Sequence, residues 1–503
     1  MSRLDLGLAR LAGLSLRRRM LISALAGAVA ALGQAPLNLW PLTILGLAAI
    51  TWIAMTDLSP RRTGWLWWAG GCGYFGLALS WIVEPFLVDI ARHGWMAPFA
   101  LVGMGAGMAI FWGLAGLLAR VIAPATGWRF ASATALVLPL TGALRGWIFT
   151  GFPWALPGHA LIASPALQLA SLGGAILLGL IVTSAAATLP LCLRPKRLAV
   201  WGACFALPML AGWTLTPPPA QTEGRPIIRL VQPNVPQHEK WDRDKAPAHF
   251  QRLLDLSASP GDHALTVWPE TAVPAWLNDV PHLMPVIAEA AAPGATVFGI
   301  NRAEGREIRN ALVVLDPEGE IADVYDKHHL VPFGEYVPFG NILGQLGIRG
   351  MAARDGNGFS PGPGAHLVDI PGAGRALPLI CYEGVFPRDI RAAPERPDVL
   401  LLITNDAWFG TISGPYQHLA QARLRAVEFG LPMIRVANTG ISAMIDPAGR
   451  VSGRMALGTA GISDQPLPEA RPETLYARLG DLPLIALLII GLAAIALPRA
   501  RNF

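Results

Sequence analysis

The chain has 503 residues, of which 53% are hydrophobic and 15% are charged, with a mean hydropathy of +0.43 and a net charge of +5. These values exclude a typical soluble globular protein and indicate a membrane protein, with most of its charge confined to residues 217–475. The four cysteines are scattered, which excludes a disulfide framework.

Long apolar runs divide the chain, and a bilayer span takes about 20 apolar residues. We predict eight membrane helices, near residues 20–34, 38–56, 64–83, 97–119, 131–150, 165–191, 197–215 and 479–498. The predicted domains are a transmembrane domain at 1–216 with about seven helices, an extramembrane domain at 217–475, and a last helix with its tail at 476–503. The fifth run contains Arg145, a functional candidate unless it forms an internal ion pair or reaches the interface.

Basic residues lie in every second short loop of this arrangement, and the intervening loops have almost none, with Arg92 as the exception. The residues of the basic loops are Arg3, Arg10, Arg17, Arg18 and Arg19, then Arg61 and Arg62, Arg120 and Arg129, Arg194, Lys196 and Arg197, and finally Arg499 and Arg501. Such loops stay in the cytoplasm, so both termini are predicted to be cytoplasmic and the large domain faces the other side. This topology explains the positive net charge, so we predict no nucleic-acid partner.

The extramembrane domain follows a Pro-rich linker, Leu215–Pro226, and alternates short β-type runs with helical ones. This alternation predicts an α/β domain, in which reactive groups gather at the carboxyl ends of strands. The runs "HALTVWPE" and "ALPLICYE" are predicted strands that end at Glu270 and Cys381. Periodicity does not predict the number of sheets.

Three polar motifs in this domain carry chemistry: "VWPETAVP" with Glu270, "YDKHHLVPFGEYVPF" with Lys327 and Glu335, and "ICYEG" with Cys381. A cysteine reacts as the thiolate, and a nearby glutamate can accept its proton. A nearby lysine favours the thiolate and can stabilise an oxyanion, to which the N–H of Tyr382 is a candidate second donor. One Glu, one Lys and one Cys are sufficient for covalent acyl transfer.

Each of these residues also has a structural explanation. A lone cysteine such as Cys381 usually packs as a small hydrophobe, and a lysine such as Lys327 usually lies in solvent. Glu270 fits a turn and Glu335 fits the surface. The two consecutive histidines after Lys327 point in different directions, which argues against a metal site.

The order of "WPET", "YDKHHLVPFGEYVP", "CYEGVFP", "NDAWFG" and "RVANTGISAMIDPAGR" resembles the nitrilase, or carbon–nitrogen hydrolase, superfamily. With the eight predicted spans, the chain closely resembles the bacterial apolipoprotein N-acyltransferase family. The resemblance covers almost the whole chain. It implies a nitrilase-like α-β-β-α sandwich domain inserted in an eight-helix transmembrane bundle.

The resemblance also implies roles for individual residues. Glu270 would be the general base, Lys327 the oxyanion stabiliser and Cys381 the nucleophile. The implied supporting residues are Glu335, Tyr382, Glu383 and Trp241. No metal or cofactor is expected.

The implied reaction transfers an acyl chain from a phospholipid, typically phosphatidylethanolamine, to the N-terminal amine of a diacylglyceryl-cysteine apolipoprotein. The chain would act as a monomer in the bacterial inner membrane, with its catalytic domain in the periplasm. The Gly-rich stretch Phe339–Gly362 would be a mobile arm or a disordered loop. Two other functions stay open: a membrane-tethered amidase that uses water as acceptor, and a transporter or scaffold without activity.

Overall fold

The structure is a computed structural model that describes residues 9–56, 58–124, 126–338 and 358–497. The chain forms two compact units, one of Met1–Pro217 with Glu473–Phe503 and one of Pro218–Pro472. The second unit therefore lies, in sequence, between the two parts of the first. Most of the predicted arm, residues 339–357, lies outside the described residues.

The first unit is helical. Its longer helices are Leu16–Ala31, Trp40–Ala54, Pro60–Ala78, Ala97–Ile122, Trp128–Arg145, Ala170–Thr188, Pro195–Leu215 and Leu482–Ala496. Short α-helices occupy Glu84–Leu87, Ile90–His93 and Leu475–Leu479, and single 3-10 turns connect several of these segments.

Several of these helices are apolar, but not all reach the length of a span. By length and composition, three helical segments of the described residues can cross a membrane: Ile90–Ile122, Pro165–Leu191 and Pro195–Leu215. A fourth exists if Pro60–Ala78 and Ser80–Leu87, bent by 64°, form one span. The helical N-terminal region is thus confirmed, while the count of eight spans stays a prediction.

Small residues let two of these helices approach closely. A Cβ atom added at Gly27 would overlap the carbonyl of Gly70, so only glycine allows this contact between backbones. The buried Arg145 donates to the Phe152 carbonyl over 2.9 Å, and its guanidinium lies 4.9 Å from the centroid of the Phe75 ring. Both of these contacts of Arg145 lie within the helical unit.

The second unit contains two six-stranded sheets. The strands are β1 (Ile227–Gln232), β2 (Leu265–Val267), β3 (Ala295–Glu304), β4 (Glu307–Leu315), β5 (Ile321–Asp326), β6 (Val368–Ile370), β7 (Gly374–Ile380), β8 (Val399–Thr404), β9 (Met433–Ala437), β10 (Ala443–Ile445), β11 (Val451–Ser452) and β12 (Gly461–Pro466). The first sheet has the order β12-β1-β2-β3-β4-β5 and the second β11-β10-β9-β8-β7-β6. The central strands β1 to β3 and β7 to β9 run parallel.

Side chains alternate between two cores because successive residues of a strand face opposite sides of the sheet. Val297 of β3 lies in a core shared by the two sheets, together with Val399 of β8. Its neighbour Phe298 packs instead against the helices Ala246–Ser257 and Leu283–Ala291. The second sheet is covered by the helix Gly414–Phe429, so the layers are α-β-β-α, as predicted.

Two strands are shorter than the sequence predicted, and this difference places the candidate site. The strand β2 ends at Val267 because Pro269 has no N–H for the ladder, so Glu270 stands in the loop beyond the strand end. The strand β7 ends at Ile380, and a short 3-10 helix, Cys381–Val385, follows directly.

Candidate active site

The three candidate catalytic residues follow strands that end at the same edge of their sheets. Glu270 comes after β2, Lys327 directly after β5, and Cys381 directly after β7. Cys381 adopts a φ of +51°, in the left-handed region that costs a non-glycine residue about 1–3 kcal/mol. The chain thus turns sharply at the cysteine, where β7 passes into a helical turn.

The Glu270 carboxylate is buried and held by three donors. Its Oε1 accepts from Asn310 Nδ2 over 2.7 Å and lies 3.4 Å from Lys327 Nζ. Its Oε2 accepts from the backbone N–H of Asn405 over 2.8 Å. With donors on both oxygens, the carboxylate has a fixed orientation.

The Lys327 side chain is 1% exposed and lies between two carboxylates. Its Nζ donates to Glu335 Oε1 over 2.7 Å and to Glu270 Oε1 over 3.4 Å. Burial alone would lower the pKa of Lys327, but the charges of Glu335 and Glu270 outweigh burial and raise the pKa. The raised pKa favours the charged form of Lys327.

Glu335 lies in a tight turn that its own side chain closes. Its Oε2 accepts from the Val331 N–H over 2.8 Å, and its N–H donates to the Val331 carbonyl over 2.9 Å. Burial raises the pKa of Glu335, and the charge of Lys327 opposes this rise. Glu335 is thus a buried partner of Lys327 and not a surface residue.

Cys381 is 5% exposed, and its surroundings disfavour the thiolate. Burial raises the pKa of the thiol, as does the charge of Glu270, while Lys327 and a hydrogen bond with the Thr404 side chain act in the opposite direction. The thiol therefore needs a base in order to react. Among the carboxylates that raise its pKa, Glu270 has the largest effect.

A buried polar cluster, Asp406 with His418 and Arg435, supports the cysteine from the second sheet. Asp406 Oδ1 lies 2.9 Å from His418 Nδ1 and accepts from the Thr404 hydroxyl over 3.0 Å. Its Oδ2 accepts from Arg435 Nη2 over 2.6 Å. The cluster therefore fixes the Thr404 hydroxyl, whose hydrogen bonding acts to lower the pKa of the Cys381 thiol.

Glu383 is fully buried and accepts several hydrogen bonds around the turn that follows the cysteine. Its Oε2 accepts from the Ile380 N–H over 2.7 Å and from the Tyr325 hydroxyl over 3.0 Å. Its Oε1 accepts from the backbone N–H groups of His328 and His329, over 2.8 and 3.2 Å. Glu383 therefore joins the segment after β5, which carries Lys327, to the segment that carries Cys381.

The other two predicted supporting residues lie at different depths. Tyr382 is buried, with its ring 5.3 Å from that of His329 and 4.8 Å from that of Phe386, in edge-on arrangements. Trp241 is 39% exposed, in the loop after β1. An oxyanion contact from the Tyr382 N–H and an acyl contact from Trp241 stay predictions.

Sequence reasoning missed a second buried lysine, Lys240, which is 5% exposed and donates to the backbone carbonyl of Glu270 over 3.0 Å. It also missed Asn310 and Asn405, which hold the Glu270 carboxylate. Their positions in the sequence could have indicated these residues. Lys240 directly precedes Trp241, and Asn405 directly follows a buried strand. Among the described residues, no group of three or more His, Cys, Asp or Glu side chains could hold a metal ion.

Two sheets between helices, with a buried Glu, Lys and Cys after the strand ends, are the arrangement of a nitrilase-like carbon–nitrogen hydrolase fold. Residues 227–471 match the family described as "Carbon-nitrogen hydrolase", and residues 26–188 match "Apolipoprotein N-acyltransferase N-terminal domain". The chain belongs to the apolipoprotein N-acyltransferase family, which confirms the resemblance seen in its motifs.

Relatives with the name "Apolipoprotein N-acyltransferase" match along nearly the full length. The protein of Rhodopseudomonas palustris is 36% identical, over 96% of this chain and 95% of the relative. The protein of Caulobacter vibrioides is 37% identical, over 93% of each chain. Among solved structures, an amidase from Nesterenkonia sp. is 20% identical with a TM-score of 0.38, over 53% of this chain and 98% of the amidase. Family membership rests on the family matches and the full-length relatives.

Proposed function

We propose that this protein N-acylates lipoproteins, by moving one acyl chain from a membrane phospholipid to the N-terminal α-amine of a diacylglyceryl-cysteine apolipoprotein. Phosphatidylethanolamine is the proposed donor, and Cys381 carries the chain as a thioester. The observation that supports this proposal most strongly is the buried convergence of Glu270, Lys327 and Cys381 at the strand ends. A relative that matches this chain along nearly its full length is named for this activity.

In the first half-reaction, the Cys381 sulfur attacks an ester carbonyl of the phospholipid. Glu270 accepts the thiol proton as the S–C bond forms, and Lys327 stabilises the negative charge on the carbonyl oxygen. When the tetrahedral intermediate collapses, the ester C–O bond breaks and Glu270 returns the proton to the leaving glycerol oxygen. Lysophospholipid departs, and the thioester remains.

In the second half-reaction, the neutral α-amine of the lipoprotein attacks the thioester carbonyl. Glu270 accepts the proton that the amine loses, the C–S bond breaks, and the proton passes to the Cys381 sulfur. The products are an N-acylated lipoprotein and the free enzyme. Both steps use the same base and the same oxyanion stabiliser, so the site needs no further reactant.

The supporting residues receive roles from their contacts. Glu335 holds Lys327 in place through the 2.7 Å bond between the two side chains. Glu383 fixes the turn after the nucleophile, and the N–H of Tyr382 is a proposed second oxyanion donor. Trp241 is proposed to contact the acyl chain, since an exposed indole suits an interface between protein and lipid.

The proposed cellular setting follows from the charge pattern of the loops. The chain is proposed to cross the bacterial inner membrane eight times, with residues 217–475 as its periplasmic catalytic domain. Both substrates carry their head groups at a membrane surface, which gives a reason for attaching this catalytic domain to membrane helices. We propose a monomer without cofactor.

Water is the alternative acceptor, because residues 227–471 match a family described by hydrolysis of carbon–nitrogen bonds. The test incubates the purified protein with phosphatidylethanolamine vesicles and a synthetic diacylated lipopeptide, and follows the lipopeptide by mass spectrometry. Acyl transfer predicts a triacylated lipopeptide, absent with C381A and when the lipopeptide amine is acetylated beforehand. Release of free fatty acid with no triacylated product would favour hydrolysis and contradict the proposed transfer.

A further inference from the structure

The side chain of Lys240 is a second buried cation beside the candidate base. It is 5% exposed, and its Nζ donates to the Glu270 backbone carbonyl over 3.0 Å. Among the described residues, no carboxylate oxygen lies within 4.0 Å of its ammonium, so Lys240 is not one half of an ion pair. A cleft beside it is lined by Val235, Lys240, His249, Glu270, Ala272 and Asn438.

The loop that carries Lys240 is tied to the ends of the second sheet. The Val235 N–H donates to Asn438 Oδ1 over 2.9 Å, and Asn438 Nδ2 donates to the Val235 carbonyl over 2.8 Å. Gln237 Oε1 accepts from Asn405 Nδ2 over 2.7 Å, and the N–H of the same asparagine holds Glu270. One residue thus positions both the base and the loop with the second lysine, as expected for a preorganised site.

Without Lys240, the charges of the ionised groups around Glu270 do not sum to zero. Glu270 and Glu335 share a single ammonium, that of Lys327, at 3.4 and 2.7 Å. Two carboxylates and one cation leave a net negative charge in a buried site. In such a pair, the like charges repel, and one carboxyl group tends to hold a proton at neutral pH. A protonated Glu270 cannot accept the thiol proton.

We propose that Lys240 keeps Glu270 ionised at neutral pH, and thereby keeps it available as the base that deprotonates Cys381. With both lysines charged and both carboxylates ionised, the four groups have zero net charge. Proton transfer from the Cys381 sulfur to Glu270 breaks an S–H bond and forms an O–H bond, so the net charge of the four groups and Cys381 together stays zero. Lys240 acts through Glu270 and is a positioning residue.

The other charged groups near the site do not replace this cation. Burial lowers the pKa of Lys240 to about 8, and the charge of Glu270 acts against this lowering, so the charged form of Lys240 is favoured at neutral pH. Burial and the charge of Arg435 lower the pKa of His418, which favours its neutral form. The charges of Asp406 and Arg435 then cancel within their own ion pair. Two further pairs of titratable residues lie nearby. His249 lines the cleft and lies beside Glu239, and Glu383 lies beside its partner His328.

The test measures how the reactivity of Cys381 depends on pH, without any lipid. Iodoacetamide alkylates the full-length protein in detergent between about pH 5 and pH 9, and peptide mass spectrometry separates Cys381 from the other three cysteines. The variants are K240Q, which keeps a hydrogen-bond donor, K240M, which keeps an unbranched chain, and K240R, which keeps the charge. K245M is the matched control, because Lys245 lies in the same loop region and is exposed.

Loss of the charge is expected to move the acid limb of the profile to higher pH. In K240Q and K240M, alkylation of Cys381 at about pH 6 should slow roughly tenfold or more, the size expected when an opposite charge is removed. K240R and K245M should follow the parent. Thermal unfolding identifies which variants are folded, and either uncharged variant is sufficient for the comparison.

The proposal is overturned if a folded K240Q or K240M keeps the parent profile, or if K240R behaves like the uncharged variants. The inference rests on the proposed function only in taking Glu270 as the base. Failure of this inference is distinguishable from failure of the proposed function, because alkylation uses no phospholipid and no lipopeptide. A parent protein that fails to acylate the lipopeptide contradicts the proposed function and leaves the alkylation result standing.

Discussion

The backbone N–H of Asn405 donates to Glu270 Oε2 over 2.8 Å, and this bond joins the two sheets at the candidate site. Glu270 follows β2 of the first sheet, and Asn405 follows β8 of the second. The candidate base is therefore fixed by the same sheet that carries Cys381, the candidate nucleophile. A charge-assisted bond of this kind is worth about 1.5–3 kcal/mol, enough to define one orientation of the carboxylate.

The other Glu270 oxygen supplies the first prediction. Asn310 Nδ2 donates to Oε1 over 2.7 Å, so N310A removes the bond and leaves Lys327 as the donor to that oxygen. We expect acyl-enzyme formation to slow by about 10- to 100-fold at saturating phospholipid, because the base loses its orientation. N301A is the control, since Asn301 pairs with Asn310 across the strands β3 and β4. Equal losses in the two variants would contradict the assigned role.

The pair of Lys327 and Glu335 supplies the second prediction. Both side chains are buried and 2.7 Å apart, so K327M leaves Glu335 without its cation and E335Q leaves Lys327 with only the more distant Glu270 carboxylate. Each change should lower the free energy of unfolding by about 3–5 kcal/mol, and the double variant should lose clearly less than the sum. Denaturant unfolding in detergent measures these values.

A matched pair in the same unit serves as the control for that experiment. Lys245 and Glu239 are also 2.7 Å apart but lie at the surface, where solvent weakens the attraction. The cycle of K245M and E239Q should show little coupling. Additive losses at the Lys327–Glu335 pair would mean that the two side chains do not act as a unit.

The third prediction concerns Glu383, which accepts hydrogen bonds from three backbone N–H groups and the Tyr325 hydroxyl. E383Q removes the charge and replaces one carboxylate oxygen by an NH2 group, so the donors to that oxygen lose their acceptor. We expect a loss of about 1–3 kcal/mol in unfolding free energy and slower acyl-enzyme formation. Y325F removes one donor only, and should cost less on both measures. A normal rate of acylation in E383Q would limit Glu383 to a role in stability.

The fourth prediction is a dependence of stability on pH. Burial alone would lower the pKa of His328, but the hydrogen bond and charge of Glu383 outweigh burial and raise it. A raised pKa means that the stabilising contribution is fully present below pH 6.5 and is lost as pH rises through the folded-state pKa. H328Q should therefore lower the unfolding temperature more at about pH 6 than at about pH 9.

The control for this pH dependence is H282Q, because His282 is exposed. It should change the unfolding temperature equally at the two pH values. If the effect of H328Q were larger at the higher pH, the sign of the coupling between His328 and Glu383 would be wrong.

The sequence predicted the parts of the site that carry motifs, and missed those defined only by burial. Cys381 and Lys327 were found because "ICYEG" and "YDKHH" place them directly after strand-like runs. Lys240 was missed because a buried lysine and a solvated lysine look the same in a sequence. Asn405 was missed because it acts through its backbone N–H, which carries no side-chain signal.

Fold prediction had a similar limit. Alternation of short strands and helices indicated an α/β unit, but the partition into two sheets depends on pairings such as β1 with β12, which are distant in sequence. The predicted strand end at Glu270 was wrong because Pro269 ends the ladder earlier. The spans were predicted from apolar length alone, and their number stays a prediction because several helices of the first unit are short.

The most direct test of the central claim is the intact mass of the protein after incubation with phosphatidylethanolamine vesicles. A thioester at Cys381 predicts a mass increase of one acyl chain on the parent, located on the Cys381 peptide and removed by neutral hydroxylamine. C381A should gain no mass, and E270Q should gain it about 100- to 10,000-fold more slowly, the usual range for loss of a general base. An acyl adduct of equal yield on C381A, or no adduct on the parent, would contradict a thioester mechanism at Cys381.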